Sequence, residues 1–261
     1  MNLNLCTWSL LNDPSRISKV MHQATLNGLH LEASAVEILK PLIEENGWQV
    51  SATMVAFPQE DYSTLETIKA SGGIVPDASW PENRKLALQA IQTTASMKVA
   101  YLSTHVGAFD PGNEAAYQRF SSRLRELADA AAEADVMLLL ETGQETAIEL
   151  KSLLLELNHP ALGINFDPAN MILYGKGDPI EAIRLLAPWI RHVHIKDAIA
   201  SPVAGEWGQE VPWGDGEVDT EQFFKTLEDV DFEGAFAIER EAGESREEDI
   251  SRAAERIRLK I

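Results

Sequence analysis

A rhythm constrains this chain more than any single motif. Short apolar runs that read as buried strands alternate with amphipathic stretches of helical period from one end to the other. Strands are predicted at Leu3–Trp8, Leu29–Ala33, Val50–Val55, Val99–His105, Met137–Glu141, Leu162–Asp167, Ile190–Ile195 and Ala235–Glu239. Helix starts are legible between them. Asp13–Pro14 and Asp178–Pro179 each set an N-cap before a first-turn proline. "SWPE" (Ser79–Glu82) reads as a capping box opening a helix to about Met97, and Asp219 or Thr220 caps the helix through Phe223, Phe224 and Leu227. About eight strand–helix units without a compositional break predict an α/β fold, a (β/α)8 TIM barrel with an eight-stranded parallel sheet, occupying residues 1–261 as one domain. A doubly wound open sheet is the alternative, but no Gly-rich dinucleotide turn follows the first strand. Two connections, Phe57 to Ser79 and Ala198 to Val218, are long enough to be lids, binding loops or surface insertions.

Composition removes several functions. With 22 basic and 41 acidic residues the formal charge is −19, which repels phosphate backbones and anionic lipid, so neither nucleic acid nor membrane is expected as a partner. The one cysteine, Cys6, excludes an intrachain disulfide framework and a zinc-finger cluster, and its apolar strand makes it a core residue. No apolar run is long enough to span a bilayer. The opening "MNLNLCTWSL" lacks a basic region and a small-residue cleavage site, so a cytoplasmic location is expected.

The strand ends carry the chemistry. "YLSTH" finishes on His105, "LLLE" on Glu141, "GINFD" on Asp167, "RHVHIKD" runs through His194, and "AFAIE" finishes on Glu239. In a barrel such positions converge on the C-terminal rim. One acid there, such as Asp167, is a helix cap or part of a site; several acids crowded together oppose folding unless a positive charge neutralises them. A divalent cation on Glu141, Asp167, His194 and Glu239 would do so, with three oxygens and an imidazole nitrogen as ligands. Strand alternation puts His192, His194 and Lys196 on one face, with His194 nearer the rim and His192 a layer deeper. His22, His30 and His159 fall on a helix, near a strand start and in a loop, and are read as structural.

In order along the chain, "LSTHVGAF" (Leu102–Phe109), "LLLETGQE" (Leu138–Glu145), "GINFDPAN" (Gly163–Asn170), "RHVHIKD" (Arg191–Asp197), "WGDGEVD" (Trp213–Asp219) and "AIERE" (Ala237–Glu241) resemble the xylose isomerase-like barrel superfamily of sugar isomerases and epimerases. The resemblance to its ketose 3-epimerase branch implies one divalent metal held by Glu141, Asp167, His194 and Glu239, with the two glutamates shuttling the proton. That branch has a histidine where this chain has Asn170, and an arginine in the loop where 198–218 has none. The apurinic-site endonuclease branch shares the "ETGQE" likeness and a metal histidine at His105. It needs further histidines that Asn170 and "WGQEVPWGDG" do not supply, and the acidic charge disfavours DNA.

The expected activity is therefore isomerisation or epimerisation of a small-molecule sugar or polyol ketone, by proton transfer beside a carbonyl through a metal-stabilised enediolate. Glu141 and Glu239 are the expected acid–base pair. An inosose-type dehydratase on the same metal site is the runner-up, and a non-catalytic carbohydrate-binding barrel is the alternative of another class. The ion is manganese, magnesium, cobalt or zinc. Expected substrate contacts are His105, Gln144, Asn170 and Lys196, the indoles of Trp8, Trp207 and Trp213, and Glu210 as a further acid or base. For His105 and Lys196 a purely structural role, for Lys196 a salt bridge to Asp197 or another rim acid, stays open. A homo-oligomer is compatible with all of this.

Overall fold

Strands buried on both faces should be apolar without alternation, and that is how these segments pair. The structure, a computed structural model, describes residues 3–203 and 205–259. Its strands are β1 (Leu3–Cys6), β2 (Gly28–Glu32), β3 (Gln49–Val55), β4 (Tyr101–Thr104), β5 (Met137–Glu141), β6 (Leu162–Phe166), β7 (Ile190–Ile195), β8 (Asp197–Ile199), β9 (Gln209–Val211) and β10 (Ala235–Ile238). Eight of them close in the order β1-β10-β7-β6-β5-β4-β3-β2, all parallel, while β8 and β9 form a separate antiparallel hairpin. The expected (β/α)8 barrel is the fold. The register slips by one residue at two places, between Leu29 and His30 and between Ile164 and Asn165.

The helices are α1 (Pro14–Gln23), α2 (Val36–Asn46), α3 (Leu65–Ser71), α4 (Trp80–Ser96), α5 (Glu114–Glu133), α6 (Ala147–Leu157), α7 (Pro168–Leu173), α8 (Pro179–Leu186), α9 (Thr220–Asp229) and α10 (Arg246–Arg258). They jacket the barrel with apolar stripes at helical spacing: α5 buries Tyr117, Phe120, Leu124, Leu127 and Ala131, and α6 buries Leu150, Leu153, Leu154 and Leu157. Asp13, Asp178 and Asp219 cap α1, α8 and α9 as their sequence context predicts. Ser79 does not form the expected box. Its backbone is already αR, so its hydroxyl turns back to the Pro76 carbonyl (3.4 Å) and makes no cap bond. Capping boxes form instead at Thr64–Thr67 and Thr146–Glu149.

Both long connections carry structure. The first contains α3 and is clipped to the loop after β4. Ile74 N–H donates to the Val106 carbonyl (3.1 Å), and a Cβ on Gly73 (φ +63) would lie 2.0 Å from Val106 C. The second contains the β8–β9 hairpin, anchored by Asp197. That carboxylate accepts from the N–H groups of Ala198, Gly214, Gly216 and Val218 at 2.9–3.0 Å. Asp197 therefore is not the partner of Lys196; neighbouring strand residues face opposite ways.

Candidate metal centre at the barrel mouth

Four barrel strands deliver the acid cluster. Glu141 ends β5, Asp167 follows β6, His194 lies in β7 and Glu239 follows β10. Their side chains are buried, and one donor atom from each lies within 4.8 Å of the others. His194 Nδ1 stands 3.3 Å from Glu141 Oε1, 3.5 Å from Asp167 Oδ2 and 3.3 Å from Glu239 Oε2.

Each residue is oriented by its other atoms. Asp167 Oδ1 caps α7 by accepting from Asn170 N–H (3.0 Å), which turns Oδ2 inward. The strand-end acid is thus both helix cap and site residue. Glu141 Oε1 accepts from Asn170 Nδ2 (3.2 Å), and Glu239 Oε1 accepts from Trp8 Nε1 (2.5 Å). What remains is telling: Glu141 Oε2, Asp167 Oδ2 and His194 Nδ1 are buried without a hydrogen-bond partner, and Glu239 Oε2 has the Lys196 ammonium at 2.8 Å. Orphaned buried polar atoms are costly; Asp167 Oδ2 and Glu239 Oε2 face His194 Nδ1, while Glu141 Oε2 lies toward His105 (3.8 Å).

The electrostatics agree. Burial opposes ionisation of Glu239, but the Lys196 ammonium (2.8 Å) and the His194 ring outweigh it and hold the carboxyl well below its usual range. Burial likewise opposes the charge on Glu141, yet His105 and His194 pull it below the ordinary value, whereas burial raises Asp167. Burial works against an imidazolium at His194, and the surrounding acids Glu239 and Glu141 more than compensate, lifting it well above the ordinary histidine value. Without a cation, then, a proton on His194 is the substitute charge. Three carboxylates outnumber the ammonium of Lys196, which Glu241 also shares, and a dication with a neutral His194 would offset the excess. Three carboxylate oxygens and an imidazole nitrogen suit a hard or borderline divalent ion, so the residues present fit the implied metal. Cys6, His30 and His194 also approach one another, but burial pushes the Cys6 thiol up to about 12, leaving it a protonated core residue.

Above the cluster opens a cavity of about 700 Å³. Of the residues expected to contact substrate, Trp8, His105, Asn170, Lys196, Trp207 and Glu210 line it, together with Glu239. His105 Nε2 is 3.8 Å from Glu141 Oε2. Lys196 is buried among acids, 2.9 Å from Glu241 Oε2 and 3.7 Å from Asp167 Oδ2. Glu210 Oε1 is saturated by Arg240 (2.7 Å) and by the N–H groups of Glu241 and Ala242, so that oxygen holds the β8–β9 hairpin to the rim. Two expected contacts lie elsewhere. Trp213 packs edge-on to Phe223 and Phe224 in the jacket, with its carbonyl accepting from Arg256. Gln144 lies over Gly72 in the first long connection, outside the cavity lining.

Other contributors escape a strand-end reading. Glu60, Tyr62, Tyr174, Glu32 and Glu241 also line the cavity, on loops and elements whose inward turn no periodicity reports. The length of the 57–79 connection is the one sequence signal that points to Glu60 and Tyr62. His30, read as structural, sits fully buried inside the barrel with Nδ1 3.0 Å from His194 Nε2, closer to the cluster than its place near a strand start suggests. Burial, reinforced by the neighbouring His194, pushes it down to about 3, so it is neutral. His192 lies a layer deeper, bonded to Ser51 Oγ (3.1 Å) and to the Asn165 side-chain amide (3.0 Å), the interior position its strand period predicts.

Comparison with known proteins is consistent with this geometry. A crystal structure of a xylose isomerase domain protein from Planctomyces limnophilus superposes with a TM-score of 0.88 at 29% identity, over 93% of this chain and 91% of that one. An L-ribulose 3-epimerase structure shares the fold with a TM-score of 0.74 at 15% identity, over 99% and 93% of the two chains. An inosose dehydratase from Clostridium botulinum is 28% identical over 145 residues, 49% of this chain and 48% of that protein. The chain spans about half the length of the curated relatives it matches. Residues 19–260 match the family model described as xylose isomerase-like TIM barrel, and the chain belongs to that family.

Proposed function

We propose that the chain is a divalent-metal-dependent isomerase or epimerase of a neutral polyhydroxy ketone. The observation that carries this reading is the convergence of Glu141, Asp167, His194 and Glu239, one donor atom from each within 4.8 Å of the others, beside a cavity of about 700 Å³ that Glu239 lines. Glu141, Asp167, His194 and Glu239 would hold the ion. A divalent cation there supplies Lewis acidity, making the C–H beside a carbonyl easier to deprotonate.

The protein's own groups do the rest. Glu141 and Glu239 come from β5 and β10, which are separated by β6 and β7 in the barrel order, so they approach a ligand from different sides. One removes the proton to give an enediolate and the other returns it. Return to the opposite face of the same carbon inverts the centre, and return to the adjacent carbon moves the carbonyl. Trp8 and Asn170 each fix one oxygen of a glutamate, and the second oxygen of Glu239 lies 2.8 Å from Lys196 Nζ. Lys196 keeps Glu239 ionised. The lining acids Glu32, Glu60, Glu210 and Glu241 face one lining ammonium, already paired, and no arginine lines the cavity. A phosphorylated or carboxylated substrate would meet repulsion there.

A dehydratase reading shares every residue and is favoured by the inosose dehydratase relative. It differs in that a β-hydroxyl, taking a proton from one of the two glutamates, leaves the enediolate as water in place of reprotonation at carbon.

The test is metal-dependent exchange of solvent deuterium into candidate ketoses, followed by NMR of the products. Exchange with inversion or carbonyl migration supports the proposal, and loss of water supports the dehydratase. Binding without exchange would leave a carbohydrate-binding barrel. Glu239→Gln should lower turnover on the order of 10²–10⁴-fold with the fold intact; full activity in that variant would remove its role.

A further inference from the structure

A metal on His194 Nδ1 obliges Nε2 to carry the ring proton, and a buried N–H needs an acceptor. The hydrogen bonds beneath the cluster supply one. His30 Nε2 faces the Thr53 carbonyl and Ser103 Oγ, each at 3.2 Å. The carbonyl can only accept, and the Ser103 hydroxyl already donates to Met54 Sδ (2.8 Å), so the His30 proton sits on Nε2. The lone pair of neutral His30 is then on Nδ1, 3.0 Å from His194 Nε2.

The same bookkeeping reaches Asn165. Ser51 donates to the Leu29 carbonyl (3.2 Å), so Ser51 Oγ accepts from His192 Nε2–H and His192 Nδ1 is left as an acceptor. The Asn165 amide lies between the two rings, 3.0 Å from His192 Nδ1 and 3.0 Å from His194 Nε2. With its NH₂ toward His192 and its oxygen toward His194, both facing ring nitrogens meet a complementary group. That orientation differs by a half-turn of the amide from one that pairs NH₂ with His194, and the heavy atoms occupy the same places. The two register slips of the barrel fall at His30 and at Asn165, the two residues that touch His194 Nε2.

We propose that His30 and Asn165 are positioning residues that lock the tautomer and ring orientation of His194, so that its Nδ1 lone pair points into the acid cluster. This rests on the metal reading above. The chain of donors runs from His194 Nε2–H to His30 Nδ1, and from His30 Nε2–H to the Thr53 carbonyl. It occupies the facing nitrogens of His30 and His194, so neither is left to join Cys6 in a second metal site.

The test is calorimetric titration of the metal-stripped full chain with Mn²⁺. His30→Leu, which has no acceptor, should bind about 10–100-fold more weakly than wild type. His30→Asn places an amide oxygen where Nδ1 was and should recover most of the affinity. Equal affinity in wild type and His30→Leu would overturn the proposal, as would an Asn variant as weak as the Leu variant. Absence of Mn²⁺ binding in the wild type would sink the metal reading itself. If His30→Leu does not fold, ¹⁵N-histidine NMR of the Mg²⁺-loaded wild type decides. A proton on His30 Nε2 with Nδ1 bare supports the lock, and a proton on His30 Nδ1 overturns it.

Discussion

Asp167 shows how much one side chain can do: one oxygen starts a helix and the other is aimed at the cluster. His194 has the opposite character, since on the proposed metal reading its Nδ1 would hold either a proton or a metal. Its pKa in the metal-free fold is raised, so its charge stabilises that fold fully below the ordinary histidine value. The contribution is lost as pH rises through the folded value. Metal must displace that proton, so affinity should climb with pH, by about tenfold per unit while His194 is protonated, and one proton should be released per ion bound. Calorimetry in buffers of different ionisation enthalpy measures that proton; binding independent of pH below neutrality would contradict it. The acids and His194 were readable because each ends or nearly ends an apolar strand. His30 was not, because its partner is 164 residues away and a register slip in β2 accompanies its place in the barrel interior.

At the scale of elements, the β8–β9 hairpin is the piece that most deserves a test. Asp197 gathers four backbone N–H groups and so holds the turn carrying Gly214 and Gly216; Glu210 ties the same hairpin to the rim through Arg240. Asp197→Ala removes acceptors from several half-buried donors at about 1–3 kcal/mol each, less where water reaches them. We expect a lower denaturation midpoint and a KM raised more than kcat is lowered, because Trp207 and Glu210 lose their seat while the metal ligands keep theirs. An unchanged KM would mean the hairpin does not shape the pocket. Gly216→Ala should act alike, since its Cβ would lie 2.3 Å from Asp197 Oδ1. The sequence exposed the loop's length, though not its hairpin, because three-residue strands carry no usable period. Trp213 illustrates the same blindness: an indole in a long loop packs into the jacket as readily as into a cavity. Ser79 failed as a cap because a preceding turn had already set its backbone.

Over the whole molecule, the order and number of barrel strands were legible from hydrophobic rhythm alone, since parallel strands buried on both faces print nearly continuous apolar runs. Among the described residues no helix is long and apolar enough to cross a membrane. On the proposed metal reading, the acid cluster would couple the fold to metal binding. Saturation at a hundred times Kd should add about 2.7 kcal/mol to stability, which for a domain of this size is a rise in Tm of roughly 5–10 °C. Differential scanning fluorimetry with and without chelator reads this directly; an unchanged Tm would mean no ion discriminates the folded chain.

The most direct trial of the account is an equilibrium count of Mn²⁺ on the metal-stripped protein, wild type against Asp167→Asn, with free Mn²⁺ followed by EPR. Asparagine caps a helix as well as aspartate does, so the variant should keep α7 and lose a ligand. The account predicts one tightly held ion per wild-type chain and none of comparable affinity in the variant. No saturable binding in the wild type, or equal binding in both, would contradict it.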